Sequence, residues 1–122
     1  MTPKKANVIG SETRGAKLIS KLKKELMQTL TRIAGDAIKK REAEGWTAKD
    51  ISDVTGVAQN RITEIKYPER YKTAKGLPKA ISEKNLTKLI GGGIVTVDTL
   101  RNEAAKHSTP EQLDHIEQYR TQ

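Results

Sequence analysis

Residues 51–67 read ISDVTGVAQNRITEIKY, and no other stretch constrains the fold as much. An apolar-periodic run stops at Thr55-Gly56-Val57 and restarts at once. Glycine enters the left-handed region without a Cβ penalty, so a chain that breaks a helix there can turn sharply. Upstream, Thr47 is followed three residues later by Asp50, a helix-start signal close to the capping box. The spacing predicts a short helix over about 48–55, with Ile51 and Val54 facing inward and Val57 plugging the turn. A second helix begins near Ala58. It ends before Pro68, because proline disfavours helical geometry in the residue preceding it.

The flanking sequence is also helical in pattern. From Lys17 onward Leu18, Leu22, Leu26, Leu30, Ile33, Ala37 and Ile38 recur at three- and four-residue steps. Thr29 and Thr31 can cap a break and Gly35 weakens the middle, so two helices meeting near residues 29–31 are expected. Gly45 follows the charged run KKREAE as a helix terminus. Residues 68–80, with two prolines and a glycine, read as a connector. A helix over 82–90 turns Leu86, Leu89 and Ile90 inward and stops at the glycines 91–93. Ile94–Val97 is an extended lead into a helix from about Asp98, and Thr109-Pro110 opens a last one. The fold class is therefore all-α, a small multi-helix domain containing the two-helix unit. A flexible arm is expected over 1–14, the helical domain over 15–108 and a C-terminal helix over 109–122.

Composition limits what such a domain does. The chain has 122 residues, 34% hydrophobic, with no Phe and no Cys. Disulfides and thiolate metal sites are excluded, and the core is small enough that a second subunit would help it. No stretch approaches the roughly 18–20 apolar residues that cross a bilayer. The N-terminus MTPKKANVIGSETRG lacks the apolar centre of a secretory signal, so a cytoplasmic location is expected. The net charge is +8, with seven Lys/Arg against two acids in residues 1–30 and six against two in residues 67–90. Two basic segments thus flank the two-helix unit, which favours nucleic acid over an ordinary solvated lysine surface.

Turning each residue of the second helix by about 100° puts Ala58, Ile62 and Ile65 on one side. Asn60, Thr63, Glu64 and Tyr67 lie opposite, and Gln59 sits at the exposed N-terminal end. Arg61 and Lys66 occupy the flanks, where they suit phosphates. Amides and a hydroxyl on an exposed helix face supply what base edges in the major groove require, since Gln and Asn pair bidentately with adenine.

The stretch GWTAKDISDVTGVAQNRITEI resembles the helix-turn-helix of the lambda-repressor and Cro-like family of bacterial and phage regulators. The match covers about residues 33–67 and includes Ile33, Ile38 and Arg41 ahead of the two-helix unit. Two positions depart from the pattern: Ser52 stands where the family usually has alanine, and Lys66-Tyr67-Pro68 replaces a small polar residue with glycine. By resemblance the first helix braces across the backbone while the second lies in the groove. Gln59, Asn60, Thr63 and Glu64 then take base-facing positions. Thr47, Lys49, Arg61 and Lys66 take phosphates, with Tyr67 beside them; Arg70, Lys72 and Lys75 join that group from charge alone.

Double-stranded DNA is accordingly the expected partner, read by a homodimer on a two-fold site. Dimerisation is expected because one short helix reads few base pairs. The segment 18–30 or the helices after residue 82 would supply the interface. A helical protein-interaction module such as an antitoxin, or a replication, partition or packaging protein, uses the same features. No cofactor or small-molecule ligand is evident. His107 and His115 stand eight apart without cysteine, so no metal site is expected. No nucleophile, base and orienting group come together in the sequence, so an enzyme is not expected.

Overall fold

The computed structural model describes the backbone of residues 2–121 and the side chains of residues 21–120. Among the described residues the chain is all-helical, with no strand. The helices are α1 (Thr2–Ala43), α2 (Ala48–Thr55), α3 (Gln59–Lys66), α4 (Glu83–Gly91), α5 (Val97–Ala104) and α6 (Pro110–Glu117). Single 3-10 turns follow α3 at Pro68–Arg70 and α6 at Gln118–Thr121.

Helix α1 is the spine. Its Leu26, Leu30, Ala34 and Ile38 recur every fourth residue and are buried, the stripe that an amphipathic helix presents to a core. Helices α3, α5 and α6 all pack against it. Leu86 and Leu89 of α4, Leu100 of α5 and Ile116 of α6 complete the same apolar cluster as Ile51, Ile62 and Ile65. The final helix is tied in by a polar contact as well: Gln112 Nε2 donates to the Leu22 carbonyl at 2.8 Å.

One expectation for α1 is corrected. The helix does not break near residue 30, because Thr29 and Thr31 turn their hydroxyls back onto the carbonyls of Glu25 and Met27, at 3.1 and 2.6 Å. Such back-bonding keeps a threonine inside a helix instead of at its cap. Thr31 has a second task, since its buried hydroxyl accepts from the Ile81 N–H at 2.8 Å and fixes the end of the connector to α1. The backbone of α1 is helical from Thr2, through the span 1–14 read above as an arm.

Gly35 explains how α1 and α3 come together. A Cβ there would stand 2.6 Å from the Ile65 carbonyl oxygen and 3.3 Å from the Lys66 Cα. The absent side chain allows the α3 backbone to lie directly on α1. Gly92, beside α2, is similarly tight: a Cβ would lie 2.9 Å from the Val54 carbonyl oxygen.

In an unobstructed helix interior, replacing glycine by alanine stabilises by about 0.5–1 kcal/mol. At Gly35 the sign reverses, because the obstructing atoms are backbone. Gly35→Ala is expected to destabilise the fold by about 1–3 kcal/mol in urea unfolding. A variant at least as stable as the parent would show that the two helices are not in this contact.

Candidate nucleic-acid interface

The two-helix unit is assembled by local polar chemistry. Thr47, in extended geometry, accepts the Asp50 N–H at 3.1 Å, while Asp50 accepts the Thr47 N–H at 2.9 Å. This reciprocal capping box starts α2. The hydrogen bonds from the Thr47 backbone and then its side chain hold the Asp50 carboxyl below its usual range. At the other end Gly56 takes φ of 81° and donates to the Ser52 carbonyl at 2.8 Å. Thr55 locks the turn: its hydroxyl donates to Ile51 O at 2.7 Å and accepts from the Val57 N–H at 3.1 Å. Val57 is fully buried beneath the turn.

The inward faces are narrower than the sequence pattern implies. Ile51, Ile62 and Ile65 are buried, but Val54 is 48% exposed and Ala58 is also exposed. Both corrections have the same cause. Each residue sits at the end of an eight-residue helix, where the apolar stripe runs out past the neighbouring element.

With Ile62 and Ile65 anchoring α3, Gln59, Asn60 and Arg61 are exposed along its first turn, while Thr63 and Glu64 are half-buried. No side chain caps this helix, whose N-cap is Ala58. The Gln59 and Asn60 amides carry no hydrogen bond among the described residues. The Thr63 hydroxyl donates weakly to the Gln59 carbonyl at 3.3 Å.

Five of the expected contact residues are already engaged. The Glu64 carboxylate accepts from Arg61 at 2.8 Å and meets Lys79 Nζ at 3.1 Å. Partial burial works to raise its pKa, yet the hydrogen bonds from Arg61 and Lys79 bring it below the ordinary glutamate range. Lys66 is 11% exposed and pairs with Glu42 of α1 at 2.7 Å, so it pins α3 to the spine. Lys49 pairs with Asp53 along α2 at 3.1 Å, and the Thr47 hydroxyl is committed to its cap.

At the C-terminal end of α3, Tyr67 gathers cations from three elements. Lys39 Nζ lies 4.9 Å from its ring centre, Lys66 Nζ 5.4 Å and the Arg70 guanidinium 4.4 Å. These groups share a cleft of about 330 Å³ with Arg32, Asp36 and Glu69. Arg70 is exposed there, and Lys72 and Lys75 are exposed on the connector beyond it. Arg32 and Lys39 were not anticipated as site residues. Their seven-residue spacing on one helix places them on a shared face, which is the signal that would have found them.

Among the described residues no helix is long and apolar enough to cross a membrane, and no group of acids and histidines could hold a metal ion. His115 instead contacts Glu83 at 3.0 Å, and His107 is exposed. No protein-family model, curated protein or solved structure matches this chain.

The Glu64 ion pairs set a pH dependence. A carboxyl whose pKa falls on folding contributes stability above its unfolded value, about 4.3, and loses it as pH drops through the lower folded value. Glu64→Gln should therefore flatten the fall in melting temperature between pH 5 and pH 3. An acid limb as steep as the parent's would show that the ion pairs with Arg61 and Lys79 are not maintained in solution.

Proposed function

We propose that the protein is a sequence-specific double-stranded DNA-binding regulator of transcription, which reads the major groove with α3. One observation carries this reading. The first turn of α3 presents two amides, Gln59 and Asn60, that are exposed and free of partners, on a helix fixed from behind by Ile62 and Ile65. Side chains that need donors and acceptors, and find none within their own fold, are suited to the edges of bases. The uncapped N-terminus of α3 leaves its first N–H groups open beside them.

The roles divide according to what each group already holds. Gln59, Asn60 and Thr63 read bases, and Arg61 reaches a phosphate from the flank. Glu64 keeps Arg61 and Lys79 in place. Arg70, Lys72 and Lys75 meet the DNA backbone, with Tyr67 and Lys66 supporting them from below. The chemistry is binding without catalysis, in the cytoplasm.

The reading includes a homodimer on a two-fold site, because an eight-residue helix spans only about 12 Å. Leu26, Leu30, Leu86 and Leu89 are spent on the core of the single chain, so the dimer contact uses other residues.

Selection from random duplexes should recover a defined motif. Asn60→Ala or Gln59→Ala should then weaken binding to that motif by about 1–3 kcal/mol and relax its sequence, leaving random DNA nearly unaffected. Failure to recover a motif, or equal losses on cognate and random duplexes, would remove sequence readout through α3.

A further inference from the structure

The cations of this protein are not evenly neutralised. Around α5 and α6, Arg101, Lys106 and Arg120 are each paired with a carboxylate, and Lys49, Arg61, Lys66 and Lys79 are paired around α2 and α3. The cations on the outer face of α1 are different. Lys21, Lys24, Arg32 and Lys39 are exposed and hold no carboxylate among the described residues. At 100° per residue they fall within one third of the helix circumference, so they form a single stripe. From Lys21 to Lys39 that stripe runs about 27 Å.

The connector after α3 lies along the same stripe in the opposite direction. Its start, Tyr67 to Arg70, shares the cleft with Arg32 and Lys39. Its tip lines a groove of about 920 Å³ with Lys21, Lys24 and Gln28. The tip is a tight hairpin: Thr73 N–H donates to Leu77 O at 2.8 Å, Lys79 N–H to Tyr71 O at 3.1 Å, and Gly76 turns at φ of 80°. The connector adds Arg70 before the hairpin and Lys72 and Lys75 within it, again exposed and without carboxylate partners. Lys23 and Glu83 in the groove pair with each other at 3.2 Å; beyond that pair the acids along the way are Glu25, Asp36 and Glu69, against seven unpaired cations.

The geometry points to a second binding surface: the ridge formed by the outer face of α1 and the hairpin 71–79 is a track for a nucleic-acid phosphate backbone, running on from the C-terminal end of α3. This rests on the duplex-binding reading above for the class of partner, but it uses none of the base-reading residues. One DNA strand presents a phosphate about every 3.4 Å along the axis, so about 27 Å of duplex carries roughly eight per strand, of which the ridge meets those on the near face. The track would hold the duplex alongside α1 and lengthen the footprint beyond the groove that α3 enters. It recognises charge and spacing alone, so it contributes equally on every sequence.

The test compares two variants of the full chain with equal loss of charge. Lys21→Gln with Lys24→Gln removes two cations from the α1 side of the ridge groove, neither of which belongs to the α3 interface. Lys40→Gln with Lys106→Gln removes two elsewhere. Affinity for a recovered-motif duplex and for a scrambled duplex of the same length is measured from 50 to 300 mM salt, with thermal melts confirming that both variants fold. Each phosphate contact contributes about 0.9 to the slope of log affinity against log salt. The ridge variant should therefore lose about 1.8 from that slope on both duplexes, while the other variant loses little. If both variants shift the slope equally, or the ridge variant does not shift it, the track is wrong. An acidic protein segment seated on the apolar floor of the groove, at Met27, Leu77 and Ile81, would give that second result. A flattened slope without any recoverable motif would keep the track and remove sequence readout. A recoverable motif with an unchanged slope would do the reverse.

Discussion

Everything in the proposed interface depends on how closely α3 lies against α1. Helices of eight residues are too short to persist on intrinsic propensity, so α3 exists because tertiary contacts hold it. The closest of these is backbone on backbone, where Gly35 leaves room for the Ile65 carbonyl. Ile62 and Ile65 fill the space on either side, and the Lys66–Glu42 pair ties down the C-terminal end. Fixing the helix from behind with apolar and ionic contacts frees its front to be entirely polar. A longer, self-supporting helix would not require that division so strictly.

How much was legible in the sequence follows from how local each determinant is. The capping box at Thr47 and Asp50, the left-handed Gly56 and the buried Val57 are set by neighbours within a few residues, and short-range pattern reading reaches them. The Thr109–Gln112 capping box that opens α6 belongs to the same class. Gly35 was visible, but only as a weak point in a helix, because its partner lies thirty residues away in sequence. Thr31 reads as a cap for the same reason, since the N–H it receives comes from Ile81. Val54 and Ala58 show a different limit: periodicity gives the direction of a side chain and not whether any neighbour covers it.

The candidate site divides along the same line. That Gln59 and Asn60 face outward follows from helical geometry and the positions of two isoleucines. Which cations are available does not follow from composition, because a lysine's freedom depends on whether the fold brings a carboxylate to it. Glu64 and Glu42 take up Arg61, Lys79 and Lys66 across distances in sequence that no pattern records. Most of the charge left unpaired among the described residues therefore sits on α1 and the connector, away from the helix where the sequence motif draws attention.

The connector itself carries one more consequence. It leaves α3 through Pro68, closes on itself through backbone hydrogen bonds, and is fastened at its far end where Thr31 accepts the Ile81 N–H. A basic loop of this length, if loose, would have to be ordered when it met a charged surface, and that ordering would subtract from affinity. Held at both ends, it has already lost most of that conformational freedom during folding. The buried hydroxyl of a single threonine thus transfers an entropic cost of association to the folding of the free protein.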